Sequence, residues 1–165
     1  MKKLRFPGLE FLIVVLIGIL VWILGYPQYK EKEEINKRYR VMVNMYVLRA
    51  AIENYAAYND GKFPKSAEEF KPYFTPPPNP YSDKPINGED VTIFQYSGGE
   101  EAKNNSPDSK NGRIRGTPGG LGYGYFVSPG DSLVSAYGII GIDKSGASLS
   151  EKLPSGRMQV LVIYE

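Results

Sequence analysis

Glu10 is the only ionisable residue in the run from Leu9 to Tyr26. An acid facing hydrocarbon is costly, so such residues are usually paired with a cation or carry a function. Two chemistries fit this one. It lies one turn from the start of the run, so its carboxylate can snorkel to the polar interface. Alternatively, another molecule supplies a positive charge, because the run itself contains no Lys or Arg.

Little else in the chain is equipped for chemistry. Histidine and cysteine are both absent. That removes the commonest general base, the thiolate nucleophile and the usual transition-metal ligands together. Asp83, Glu89, Asp90, Glu100, Glu101, Asp108, Asp131 and Asp143 lie mostly in polar, loop-like text, where a solvated carboxylate is the default. Ser132 and Ser135 have no imidazole to activate them. "GGLGYGY" from Gly119 lacks the Lys and Ser/Thr of a phosphate loop and reads as a strand bent by glycine. A net charge of +2 and the absence of any nucleic-acid-binding pattern give no expectation of nucleic-acid partners. No enzymatic activity is expected. Loop acids suit a structural calcium ion, a hard cation that takes oxygen ligands. Their spacing assigns no ligands, and no other cofactor is expected.

The element that must carry Glu10 is a helix. At about 1.5 Å per residue, Leu9–Tyr26 would cover roughly 27 Å, about one bilayer core. Trp22 and Tyr26 stand where amphipathic rings settle at an interface. The basic start "MKKLR" suits a signal peptide, but the run ends in "GYPQYKEKEE" with no small-x-small cleavage site. A plain membrane anchor fits everything except Glu10. Lys and Arg on the two sides of the run do not decide its orientation, and a cytoplasmic N-terminus is preferred because a folded domain follows. Pro27 deletes one backbone bond and predicts a kink. Helical text then resumes: Val41, Met45, Leu48, Ile52 and Tyr55 form an apolar stripe, flanked by Ile35, Tyr39, Met42 and Tyr46. "NDG" at Asn59 to Gly61 is a stop. Beyond it, Ser66 and Glu69 have capping-box spacing. "TPPPNPYSDKP" is an extended connector. "VTIFQYS" is a strand, followed by a long polar loop from Gly98 to Gly120. "LGYGYFVSP", "SAYGIIGIDKSGASLS" and "RMQVLVIYE" are further strands, with a turn at Asp143 to Gly146. The expected fold is α+β, a long N-terminal helix packed on a C-terminal antiparallel β-sheet.

These residues together resemble the type IV pilin and type II secretion pseudopilin superfamily. The carriers of the resemblance are a short basic leader, a Glu at the fifth position counted from Phe6, a Pro seventeen residues after that Glu, and "LRAAIENYAAYNDGKFP" at Leu48–Pro64. It covers the first 64 residues; beyond them it rests on architecture. Arg5 stands where the family carries a small residue before the cut.

The resemblance implies a pilin-like fold and three segments: a leader at 1–5, a transmembrane or filament-core half-helix at 6–29, and a soluble globular domain at 30–165. Cleavage between Arg5 and Phe6 and N-methylation of Phe6 are expected. Glu10 would pair with the N-terminal amine of a neighbour, and Pro27 would set the kink. If Arg5 is retained, Arg5 or Lys3 of a neighbour would take the place of that amine. The implied partners are other copies in a helical filament, a prepilin peptidase, an inner-membrane assembly platform and minor pilins. The implied location is a single-pass inner-membrane protein with its C-terminal domain outside the cytoplasm, then a pilus or secretion pseudopilus. The competing expectation is a membrane-anchored periplasmic binding or sensor module, which needs neither Glu10 nor a neighbour.

Overall fold

The computed structural model describes residues 7–96, 114–128, 130, 132–156 and 158–164. The first helix, α1, runs unbroken from Pro7 to Tyr58, 52 residues. The chain divides into two compact units, Met1–Asn36 and Lys37–Glu165.

In the first unit, the apolar text from Phe11 to Tyr26 is helical and exposed. It forms the one helix among the described residues that is long and apolar enough to cross a membrane. Pro27 sits inside α1, and the helix is continuous on both sides of it. The pyrrolidine ring lacks the N–H that would bond the carbonyl of Ile23, so this turn is one bond poorer than its neighbours.

In the second unit, the predicted stripe is the buried one. Val41, Met45, Leu48 and Ile52 are buried, with Tyr55 half-buried beside them. Met45, Leu48 and Ile52 share a core with Phe70, Ile86, Val91, Leu121, Tyr123, Tyr137 and Ile139. Each large side chain in such a core contributes roughly 1.5–3 kcal/mol. The helix stops as expected. Asp60 and Gly61 turn left-handed at φ 55° and 76°, and Gly61 N–H donates to the carbonyl of Ala56, the 6→1 bond of a helix C-terminus.

After α1 come a short helix α2 (Ala67–Phe70), 3₁₀ turns at Lys71–Tyr73 and Gly88–Asp90, and six strands. These are β1 (Val91–Tyr96), β2 (Leu121–Val127), β3 (Val134–Gly141), β4 (Ser150–Lys152), β5 (Met158–Val160) and β6 (Val162–Tyr164). The main sheet has the order β1-β2-β3-β6, and β4 and β5 form a separate antiparallel pair.

The sheet is mixed rather than antiparallel, which corrects the sequence-based expectation. β1 and β2 pair in parallel, Val91 opposite Leu121 through Tyr96 opposite Phe126, while β2–β3 and β3–β6 are antiparallel. A parallel pair needs a crossover of a dozen or more residues, and the stretch 97–120 is long enough to supply it.

Two glycines make the packing possible. A Cβ on Gly141 would lie 2.4 Å from Val41 Cγ1, so the glycine lets α1 approach β3. A Cβ on Gly122 would lie 2.6 Å from Ile140 Cγ1, its cross-strand partner. The glycine-rich text is thus a strand, as expected, with one face left bare to admit Ile140.

Candidate functional site

Glu10 lies in the first turn of α1 and is exposed. The first turn leaves backbone N–H groups without intrahelical partners, and the helix dipole favours a negative charge there by about 0.3–1 kcal/mol. Among the described residues no cation is ion-paired with Glu10. Its carboxylate stands at the head of an exposed apolar helix, at the end where the dipole favours a negative charge. Arg5 and Phe6, the expected processing positions, lie outside the described residues, as do Lys2 and Lys3.

The far end of the apolar stretch is marked by aromatic rings. Trp22 and Tyr26 stack at 5.4 Å, and Lys30 Nζ lies 5.7 Å above the Tyr26 ring. An amphipathic ring pair followed by a cation suits a membrane–water boundary. Pro27 falls between them.

Two of the acids weighed as chemical candidates, Asp90 and Asp143, are occupied by local hydrogen bonds. Asp143 Oδ1 accepts from Ser145 N–H at 2.7 Å, Ser145 Oγ at 2.6 Å and Ala147 N–H at 3.2 Å, which builds the expected turn. Asp90 caps its own 3₁₀ turn, accepting from Asn87 N–H at 3.0 Å. Asp83 takes a left-handed φ of 55° in the connector. Glu100, Glu101, Asp108 and Asp131 lie outside the described residues. Among the described residues, no group of three or more acids is gathered as a metal would need. The Ser132 carbonyl accepts from Lys65 Nζ, and Ser135 Oγ donates to the Phe126 carbonyl at 3.3 Å.

The second unit also carries two depressions. A groove of about 350 Å³ is lined by apolar residues including Phe74, Pro76, Pro85, Ile86 and Val91, together with Glu68, Lys71 and Asn87. A smaller hollow of about 90 Å³ lies between Met42, Met45 and Tyr46 of α1 and Leu161–Ile163.

Two buried asparagines that organise the connector escaped the sequence reading. Asn79, 1% exposed, donates from Nδ2 to the Pro118 carbonyl at 2.8 Å and accepts at Oδ1 from Tyr81 N–H at 2.9 Å. Asn44 on α1 donates to the Pro78 carbonyl at 3.1 Å. The available signal was an asparagine set between prolines in "PPPNP", a residue type that bonds to nearby backbone. Nearby, Lys37 Nζ lies over the Tyr81 ring, and Arg38 donates to the Ser150 carbonyl. Burial, then the neighbouring Tyr137, Tyr125, Glu69 and Tyr55, pushes the Tyr123 phenol well above the ordinary tyrosine range. Burial first, then Glu69 and Tyr73, raises Tyr55 as well. Both are poor acids and serve as hydrogen-bond donors. Comparison of the chain with protein-family models, with curated proteins and with solved structures gives no match.

Proposed function

We propose that the chain is a structural subunit of a helical filament of the type IV pilus or type II secretion pseudopilus kind. In this reading it is held in the inner membrane by the apolar part of α1, with its C-terminal unit outside the cytoplasm, and polymerises through that helix. The observation that carries the reading is Glu10 in the first turn of a continuous helix whose next residues are apolar and exposed. The resemblance of the first 64 residues and the α+β architecture add to it.

The physical role of Glu10 is to set register. In an apolar bundle a carboxylate and an amine are each expensive alone, and pairing offsets much of that cost. Removing one partner strands the other at about 3–5 kcal/mol. Only one axial stagger between helices satisfies both. Glu10→Ala and Glu10→Leu are expected to reduce incorporation into filaments, scored by electron microscopy and immunoblotting of sheared fibres, while membrane insertion persists. Normal filaments from either variant sink the proposal.

The 350 Å³ groove favours a second reading, a membrane-tethered binding or sensor module, since its volume falls within the range of small-molecule sites. That module would form no filaments, and the same microscopy on the unaltered chain separates the two.

A further inference from the structure

The C-terminal end of α1 carries a pair of tyrosine rings that the filament reading does not use. Tyr58, the last residue of α1, is 78% exposed. Its ring lies on that of Tyr73, with centroids 5.6 Å apart and planes 18° from parallel. Tyr73 is half-buried in the first 3₁₀ turn and meets Tyr55 edge-on at 6.0 Å. Tyr55 is fixed in turn, because its phenol donates to Glu69 at 3.2 Å. Tyr73 therefore touches both a fixed phenol and an accessible one.

Exposure and contact together single out this pair within the second unit. Tyr123 touches Tyr125 and Tyr137, but Tyr123 is fully buried and Tyr137 nearly so. A one-electron oxidant in solvent reaches Tyr58 and does not reach Tyr123. Tyr39 and Tyr46 are also open, yet among the described residues neither touches a second tyrosine ring. Proximity decides the fate of a phenoxyl radical. A partner ring already in contact acts as a reactant at very high concentration, so coupling to it outruns coupling to a partner that must diffuse.

We infer that Tyr58 and Tyr73 form an oxidative coupling site, at which hydrogen peroxide acting through a haem peroxidase joins the two rings as dityrosine. Each phenol gives up one electron and its O–H proton. The peroxide accepts both pairs and leaves as two molecules of water. One carbon–carbon bond forms between a Cε of each ring, and the hydrogen on each of those carbons returns as a proton to the phenol oxygen. Both phenols survive, and the joined pair is two hydrogen atoms lighter. The product ties the end of α1 to the 3₁₀ turn, across the helix stop and α2. The chain has no cysteine and so no disulfide to do this. Closing such a loop restricts the unfolded chain and thereby favours the folded one. None of this depends on the filament reading.

The test treats the full chain, purified in detergent as a mixture of isotope-labelled and unlabelled copies, with hydrogen peroxide and a haem peroxidase. Crosslinked peptides are sequenced by mass spectrometry, and fragmentation separates Tyr58 from Tyr55. The expected major product joins Tyr58 to Tyr73 with a single isotope label throughout, which places both in one chain. Its thermal midpoint should lie above that of the untreated chain. Tyr58→Phe and Tyr73→Phe keep a ring in the stack but remove a phenol, and each should abolish the product and the rise in midpoint. Mixed labels in the Tyr58 product, a major crosslink elsewhere, or no dityrosine at all overturns the inference. So does an intrachain dityrosine yield that Tyr58→Phe leaves undiminished.

Discussion

The phenol of Tyr123 on β2 donates a 2.8 Å hydrogen bond to the carbonyl of Pro64, in the loop that follows α1. Both residues are buried, so the bond fastens the end of the helix to the sheet inside the core. Tyr123→Phe keeps the ring and its edge contacts with Phe70 but leaves the Pro64 carbonyl without its donor. An unsatisfied buried acceptor costs about 1–3 kcal/mol. Denaturant unfolding should show a lower midpoint with an unchanged slope. An unaltered midpoint would show that water replaces the phenol there.

The same phenol predicts an alkaline limit to stability. Its ionisation is pushed above the ordinary value of 10.0 in the folded chain, by burial first and by neighbouring tyrosines and Glu69 after it. Above about pH 10 the unfolded chain loses this proton while the folded chain keeps it. The folded state then binds more protons, so stability falls as pH rises. The contribution is fully present below pH 10 and is lost above it. Thermal unfolding midpoints should decline from pH 10 upward, and Tyr123→Phe should flatten that decline. A wild-type curve level to pH 12 contradicts the account.

Packing between Val41 and Gly141 gives a separate test. With only 2.4 Å available to a new Cβ, Gly141→Ala must push α1 away from β3 or force Val41 off its rotamer. Overpacking of this kind costs typically 1–3 kcal/mol. Val41→Ala alone should destabilise by opening a cavity, yet together with Gly141→Ala it should recover part of the loss. A double-mutant cycle in denaturant measures the coupling, and simple additivity would place the strain elsewhere.

The helix and its buried stripe were legible because a 3.6-residue repeat in Val41, Met45, Leu48 and Ile52 survives any tertiary context. β1, β2 and β3 were legible from their own text, and so was the Asp143 turn, whereas "RMQVLVIYE", expected as one strand, divides into β5 and β6 in different sheets. Strand partners were not legible. Whether Val91–Tyr96 runs parallel or antiparallel to Leu121–Val127 depends on how the intervening chain crosses over, which alternation in either strand does not encode. Capping chemistry was misplaced in an instructive way. Ser66 and Glu69 have the right spacing, but Glu69 instead accepts from Lys65 N–H and from the hydroxyls of Tyr55 and Ser66. Ser66 makes no cap bond to the helix backbone. The reciprocal box forms at Asn87 and Asp90, on a 3₁₀ turn too short to leave a hydrophobic period in the text. Glu10 was visible as an anomaly in composition. Its place one turn from a helix start was legible as well, and its partner, if a neighbouring copy, is outside any single chain.

The identity of that partner turns on the N-terminus of the mature chain. If cleavage follows Arg5, the new amine of Phe6 lies four residues before Glu10 in the sequence, and in the filament reading the amine of a neighbouring copy is the cation that Glu10 meets. The predicted N-terminal peptide begins at Phe6 and carries one added methyl group, which keeps the amine basic and fixes its mass. Mass spectrometry of protein purified from its native membrane reads this directly. A peptide that still begins at Met1 would transfer the role of cation to Arg5 or Lys3. Arg5→Ala and Lys3→Ala should then impair incorporation as Glu10→Ala does, whereas in a cleaved chain neither side chain remains in the filament to matter.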